Sequence, residues 1–281
     1  MPLTVGTNSG ALWASAAITS HQRGAEIAMA RLASGKRINS AADDPAGVAI
    51  ASRLNSEIRG AGQAIRNAVD GQALIDTAEG GHKEVENILQ RMREIAVQAA
   101  NDTNSAQDRV NLNEEMKALS TEIDRIASAT TWAGKSLMGE GSSQFSFQIG
   151  TSTSVANAIT IAIEPMSASA LSVDLAAVSV TSAEASRFAI SALDEAITSV
   201  NAQRSMLGAT SNRLGYAVNN LTNISSNLTA ALGRIQDTDY AAEITALAKH
   251  QILQKAATAM LAQANASKSY VLTLLRSLNQ Y

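Results

Sequence analysis

Residues Asp239 to Tyr281 read DYAAEITALAKHQILQKAATAMLAQANASKSYVLTLLRSLNQY, and from Arg234 onward the chain contains neither Gly nor Pro. Apolar residues recur at three- and four-residue steps: Ile244, Leu247, Ala248, Ile252, Ala256, Met260, Ala264, Val271, Leu275 and Leu278. That spacing predicts one face of a helix. A second row, Leu253, Ala257, Leu261 and Leu272, widens the face beyond what a single neighbour covers. Charges are sparse, at Glu243, Lys249, Lys255, Lys268 and Arg276. Chain ends are ordinarily polar and frayed. This one has the pattern of a core element whose partner lies elsewhere.

A second amphipathic segment runs over residues 11–34, where Ala11, Ala14, Ile18, His21, Ala25, Ala28 and Leu32 form a seam of mostly small side chains. Small side chains let helices approach closely but bury little area each. The stretch SGKRINSAADDPAG (Ser34 to Gly47) breaks the pattern, and Asp43-Asp44-Pro45 suits a helix start, with an acid at the cap and Pro in the first turn. Leu54, Ile58, Ala61, Ile65, Ala68 and Ile75 then share a face. After Gly80-Gly81 the face shifts to Val85, Ile88, Met92, Ile95 and Ala99, which predicts continuity or a kink. AANDTNS turns the chain, and Ser105-x-x-Asp108 reads as a capping box before a seam of Leu112, Met116, Leu119, Ile123 and Ile126.

From Trp132 the texture changes. Gln144–Gly150 and Ala158–Ile163 alternate apolar and polar, which predicts a single β-hairpin. The Ser/Ala/Val-rich stretch that follows, to about Thr181, reads as loop. The last long helix opens near Thr181-Ser182 with a sustained heptad: Ile190, Leu193, Ile197, Val200, Arg204, Leu207, Ser211, Leu214, Val218, Leu221, Ser225, Leu228, Leu232 and Ile235. That is coiled-coil or bundle patterning, and it spans about 80 Å. The expected fold is mainly α, a long rod-like antiparallel helical bundle or coiled coil with one small β-hairpin and both termini helical and paired.

Composition narrows the function class. The chain has 281 residues, 46% of them hydrophobic but only 3% aromatic, with three prolines, no cysteine and a net charge of −3. Ala-rich, Pro-poor sequence favours long helices. The small net charge implies neither a nucleic-acid partner nor an anionic membrane, and the missing cysteines exclude disulfide and thiolate chemistry. MPLTVGTNSG lacks a basic start followed by an apolar run, so no Sec signal is expected, and no stretch is apolar enough to insert in a membrane. His21, His82 and His250 lie on helical segments without a second ligand at metal spacing, and read as surface or interface residues. Asp43-Asp44 is better explained as a helix start than as catalytic carboxylates. The sequons at Asn220, Asn223, Asn227 and Asn265 fall on predicted helices and read as chance. Loop 151–154 is a weak O-glycosylation candidate. No catalytic constellation is present, so an enzyme is not expected, and neither is a cofactor or metal.

Three segments together, RLASGKRINSAADDPAGVAIASRL, LQRMREIAVQAANDTNSAQDR and RIQDTDYAAEITALAKHQILQKAATAMLAQAN, resemble bacterial flagellin in the family's order and at both chain ends. The resemblance covers essentially everything outside Gly139 to Val180. Trp132 stands where Phe is common in the family, and Pro45 where Ala is common. The family resemblance implies a subunit that polymerises into the flagellar filament, the propeller for swimming, with its two termini pairing as an inner layer. It also implies an extracellular filament, export without a Sec signal through the flagellar secretion channel, an export chaperone, a filament cap and hook-junction proteins as partners. The short middle implies a thin, smooth filament without large outer domains. A hook-filament junction protein and a non-flagellar coiled-coil rod are the alternatives.

Residue-level expectations follow. The inner-layer segments are residues 1–43 and 236–281, and the rod domain is 44–235, with its hairpin at about 144–163. Two Ala-seamed terminal helices bury too little apolar area to offset about 1–2 kcal/mol of backbone ordering per residue. They are expected to be disordered in the monomer and to fold on assembly, as coupled folding and binding. The polymerisation seam is Ile18, Ala25, Leu32, Ile244, Ile252, Met260, Leu261 and Leu275. Gln90, Arg91, Glu94, Ile95 and Gln98 match the family segment read by the innate immune Toll-like receptor, which makes a host receptor a possible further partner.

Overall fold

Helices dominate the chain. A computed structural model describes residues 6–278, with side chains described as far as residue 271 and at residue 273. Leu272, Leu275 and Leu278 of the C-terminal pattern therefore lie outside the described side chains. The elements are α1 (Ser9–Ser34), α2 (Pro45–Ala99), α3 (Ala106–Ala129), β1 (Thr131–Trp132), β2 (Lys135–Ser136), β3 (Ser143–Gln148), β4 (Ala158–Ile163), α4 (Ala183–Gln236) and α5 (Tyr240–Leu278). They form two compact units, Met1–Ser56 with Leu228–Tyr281, and Glu57–Asn227.

Local chemistry sets the helix ends. Asp44 accepts from the Gly47 backbone N–H at 2.9 Å with Pro45 as the first helical residue, a cap that satisfies one of the helix's orphan donors. Asp43 instead closes the preceding loop, accepting from the Asn39 and Ser40 backbone N–H groups. Those bonds, Ser40's first, hold its carboxyl below the ordinary value. Ser105 and Asp108 form the expected capping box of α3. Gly35 ends α1 in the left-handed conformation, at φ 70°.

The unit Glu57–Asn227 holds the larger core. α2 and α4 run antiparallel, as Arg93–Asp194, Glu79–Arg204 and Gln72–Ser211 show. The helix α2 continues unbroken past Gly80-Gly81. A Cβ at Gly81 would meet Met138 Cε at 2.5 Å, so the glycine admits the residues after α3 onto α2. The heptad on α4 faces inward as read: Leu193, Val200, Leu207 and Leu214 are buried, and Arg204 in the same seam pairs with Glu79 and Glu86. In the expected hairpin, β3 and β4 pair antiparallel with Phe145 opposite Ile161 and Phe147 opposite Ile159, apolar side chains inward.

Two sequence expectations need correcting, and a third gains detail. A second hairpin, β1 with β2, was not foreseen. Its two turn residues Ala133 and Gly134 both have positive φ, which is the geometry of a tight two-residue turn, but two-residue strands are too short to show alternation. The stretch 164–181 is irregular, as its reading as loop has it, but it packs into the core: Met166, Ala168, Leu171, Val173, Val178 and Val180 are buried. Side chains of α3 anchor it, since Asp124, Ser120 and Asn113 bond the backbone of Ala168, Val173 and Val180 in turn. The segment thus runs antiparallel along α3. His82 is fully buried rather than at a surface.

Candidate assembly interface

The unit Met1–Ser56 with Leu228–Tyr281 is built on one helix pair. α1 and α5 run antiparallel: Asn8 Nδ2 donates to the Ala264 carbonyl at 3.1 Å, His21 faces His250, and Arg31 pairs with Glu243 at 2.9 Å. Where α1 ends, the Arg37 N–H donates to the Gln236 carbonyl and the Thr238 N–H to the Gly35 carbonyl. Asp239 caps α5 through the Ala241 and Ala242 N–H groups. The turn between α4 and α5 is therefore tied to the turn after α1 by backbone bonds.

The pair's interior is small. Ala14, Ala25, Ala28 and Ala257 are its buried alanines, and Ile18, Leu32 and Leu261 are half-buried. Among the described residues, the largest fully buried side chains, Leu74 to Leu193, all belong to the other unit. The seam read on α1, Ala11 to Leu32, is buried or half-buried at every position. On α5 the row that faces α1 is the second one, Leu253, Ala257 and Leu261. The first row is divided: Leu247, Ala264 and Val271 are half-buried, whereas Ile244 is 56% exposed, Ile252 66% and Met260 64%. On α1, Leu12 at 63% and Trp13 at 80% are also uncovered. An apolar groove of about 620 Å³, lined among others by Trp13, Ala17, Leu253 and Met260, lies along the pair. Contiguous apolar surface of this kind marks a surface that meets another protein.

The expected receptor segment lies on α2. Gln90, Arg91, Glu94 and Gln98 are exposed, but Ile95 is 1% exposed and packs in the core. Arg91 is held by Glu115 at 2.8 Å and Glu94 at 3.0 Å. The accessible face is thus polar and ion-paired, without Ile95.

Two juxtapositions escaped the sequence reading. His21 and His250 are 229 positions apart and meet with Nδ1 atoms 3.4 Å apart. Arg204 meets two carboxylates one helix away. Neither pairing has a local signal, because both join separate helices. Among the described residues no three His, Cys, Asp or Glu side chains come together as a metal cluster, and no helix is long and apolar enough to cross a membrane.

Comparison with known proteins identifies the family. Residues 5–144 match the family model of the bacterial flagellin N-terminal helical region, and residues 190–275 that of the C-terminal helical region. A flagellin of Halalkalibacterium halodurans is 44% identical over 89% of this chain and 91% of its own length. Polar flagellin F of Vibrio parahaemolyticus is 34% identical, covering 98% of this chain and all of the relative. That alignment spans 378 positions, more than the 281 residues here, so the relative carries inserted sequence. The crystal structure of Bacillus cereus flagellin is 30% identical, covers 59% of this chain and 94% of that one, and superposes with a TM-score of 0.48.

Proposed function

The chain belongs to the bacterial flagellin family, and on that premise we propose that the α1·α5 pair is the surface through which it polymerises. As a flagellin it is a structural subunit of the flagellar filament, exported to the outside, and it is not an enzyme. The observation that supports the proposal is the mismatch within the pair, an alanine interior against an uncovered row of Ile244, Ile252, Met260, Leu12 and Trp13. A neighbouring copy laid on that row would bury the large side chains that the pair itself leaves out, at about 1.5–3 kcal/mol each. Head-to-tail contacts that do not close into a ring extend into a filament. The seam Ile18, Ala25, Leu32 and Leu261 then holds α1 to α5, while Ile244, Ile252 and Met260 hold copies together; Leu275 lies outside the described side chains.

The proposal extends to order and partners. Residues 1–43 and 236–281 order on assembly, and 44–235 is the part that folds alone; that alanines are the buried apolar residues among the described side chains of α1 and α5 supports this. The weakly held ends suit export of an unfolded chain, with an export chaperone, a filament cap and hook-junction proteins as partners. Receptor contact is proposed for Gln90, Arg91, Glu94 and Gln98. In a receptor reporter assay with monomers, Arg91→Ala and Glu94→Ala are each expected to lower signalling, and undiminished signalling by both refutes the assignment.

Ile252→Asp tests the interface, because Ile252 is two-thirds exposed and its change spares the α1·α5 pair. In a filament it would bury an unpaired carboxylate at every addition step, which costs several kcal/mol. Normal monomer melting with failed sedimentation of polymer is expected. Leu214→Asp, at a fully buried site of the other unit, is the contrast, with lowered melting by about 4 kcal/mol or more. Normal filaments from Ile252→Asp would remove this row from the interface.

A further inference from the structure

We propose that His21 and His250 form a two-ligand site for a divalent transition-metal ion, zinc above all, that clips α1 to α5. The inference rests on the reading above that the two helices pair in the assembled chain. Their Nδ1 atoms are 3.4 Å apart, the ring centroids 5.6 Å apart and the ring planes tilted by 46°. Zinc bound to imidazole nitrogens at about 2.0–2.1 Å in tetrahedral geometry holds two of them roughly 3.3–3.4 Å apart. The rings therefore already stand at chelating separation. A hydrogen bond between them at that length would be a weak one, whereas an ion bound to both Nδ1 lone pairs needs the protons only on the outer nitrogens.

A second observation supports a built position. A Cβ on Gly24 would lie 2.5–2.8 Å from three atoms of the His250 ring. Glycine inside a helix is unfavourable relative to alanine, and here it admits the imidazole beside His21. Two protein ligands leave two coordination positions for water or for a donor of a neighbouring copy, and His21 also lines the apolar groove through which such a donor would come. Imidazole pairs suit Zn²⁺, Cu²⁺ and Ni²⁺ rather than Mg²⁺ or Ca²⁺. Because the ligands come from α1 and α5, the ion binds only the paired form and shifts the equilibrium towards it.

The test uses full-length chains, both as filaments and as monomers, stripped with chelator and titrated with ZnCl₂. Filaments are expected to retain about one zinc per subunit by elemental analysis of the pellet and to depolymerise at a higher temperature than the stripped ones. His21→Ala and His250→Ala filaments are expected to retain at least tenfold less and to show no such rise. Retention by both variants equal to wild type overturns the site. If a variant does not polymerise, Co²⁺ in wild-type filaments decides: a tetrahedral visible spectrum supports the site, and the spectrum of the hydrated ion overturns it. Monomers that bind as tightly as filaments would keep the site but refute ordering on assembly, so the two failures are told apart.

Discussion

His82 has no exposed surface, although it was read as a surface or interface residue. Its Nδ1 donates to the Ala78 carbonyl at 2.7 Å, and its buried Nε2 has no partner. Burial is the main force pushing its pKa below 6.5, with Arg204 adding to it and the Ala78 bond and Glu79 opposing. The sign follows from which state binds the proton first. The unfolded chain does so at about pH 6.5 while the folded core resists, so stability is full above that pH and falls as pH drops below it. Denaturant midpoints should therefore decline between pH 7.5 and about 5 in wild type. His82→Gln should flatten that decline. The lowered pKa values of Asp43, Asp108 and Glu122 act further down, below their ordinary 3.8 or 4.5, and leave that window clear. An unchanged slope in His82→Gln would show that another group carries it.

At the scale of elements, caps and turns were legible because their chemistry is local. Ser105 accepts from the Asp108 N–H at 3.2 Å, and the Asp108 carboxylate returns a bond to the Ser105 N–H at 3.0 Å. Ser105→Ala should cost about 1 kcal/mol of monomer stability, read from chemical denaturation. A loss below a few tenths would mean that water replaces the cap. The segment 164–181 was not legible for the opposite reason. Its valines and Met166 have no period of their own, and they are buried because Asn113, Ser120 and Asp124 of α3 hold the backbone in place. The hairpin β3–β4 was read correctly because six-residue strands show alternation, and β1–β2 was missed because two-residue strands cannot.

For the whole molecule, the two units differ in what they bury. The unit Glu57–Asn227 holds the large aliphatic and Met side chains, from Leu74 and Leu89 to Met166 and Leu193, whereas the described side chains buried between α1 and α5 are alanines. Ordering a residue's backbone costs about 1–2 kcal/mol, and an alanine seam offsets little of it. Limited proteolysis should trim both ends of monomers quickly and leave them intact in filaments. Equal resistance in both states would mean that the termini are ordered before assembly.

The sequence by itself determined the helices, their caps, the inward faces of α3 and α4, the main hairpin and the flagellin resemblance, since each depends on spacing within one segment. It also indicated that α5 has more apolar surface than one neighbour covers. Only the tertiary structure decided which of the two α5 rows meets α1, because rows one residue, or about 100°, apart on a helix are both apolar in sequence. The choice turns on which row of small residues lets the axes approach, and Ala257 with Leu253 and Leu261 does so while Ile252 and Met260 remain outside. Burial of His82 and the meeting of His21 with His250 were likewise settled by packing between distant segments, which no local pattern encodes.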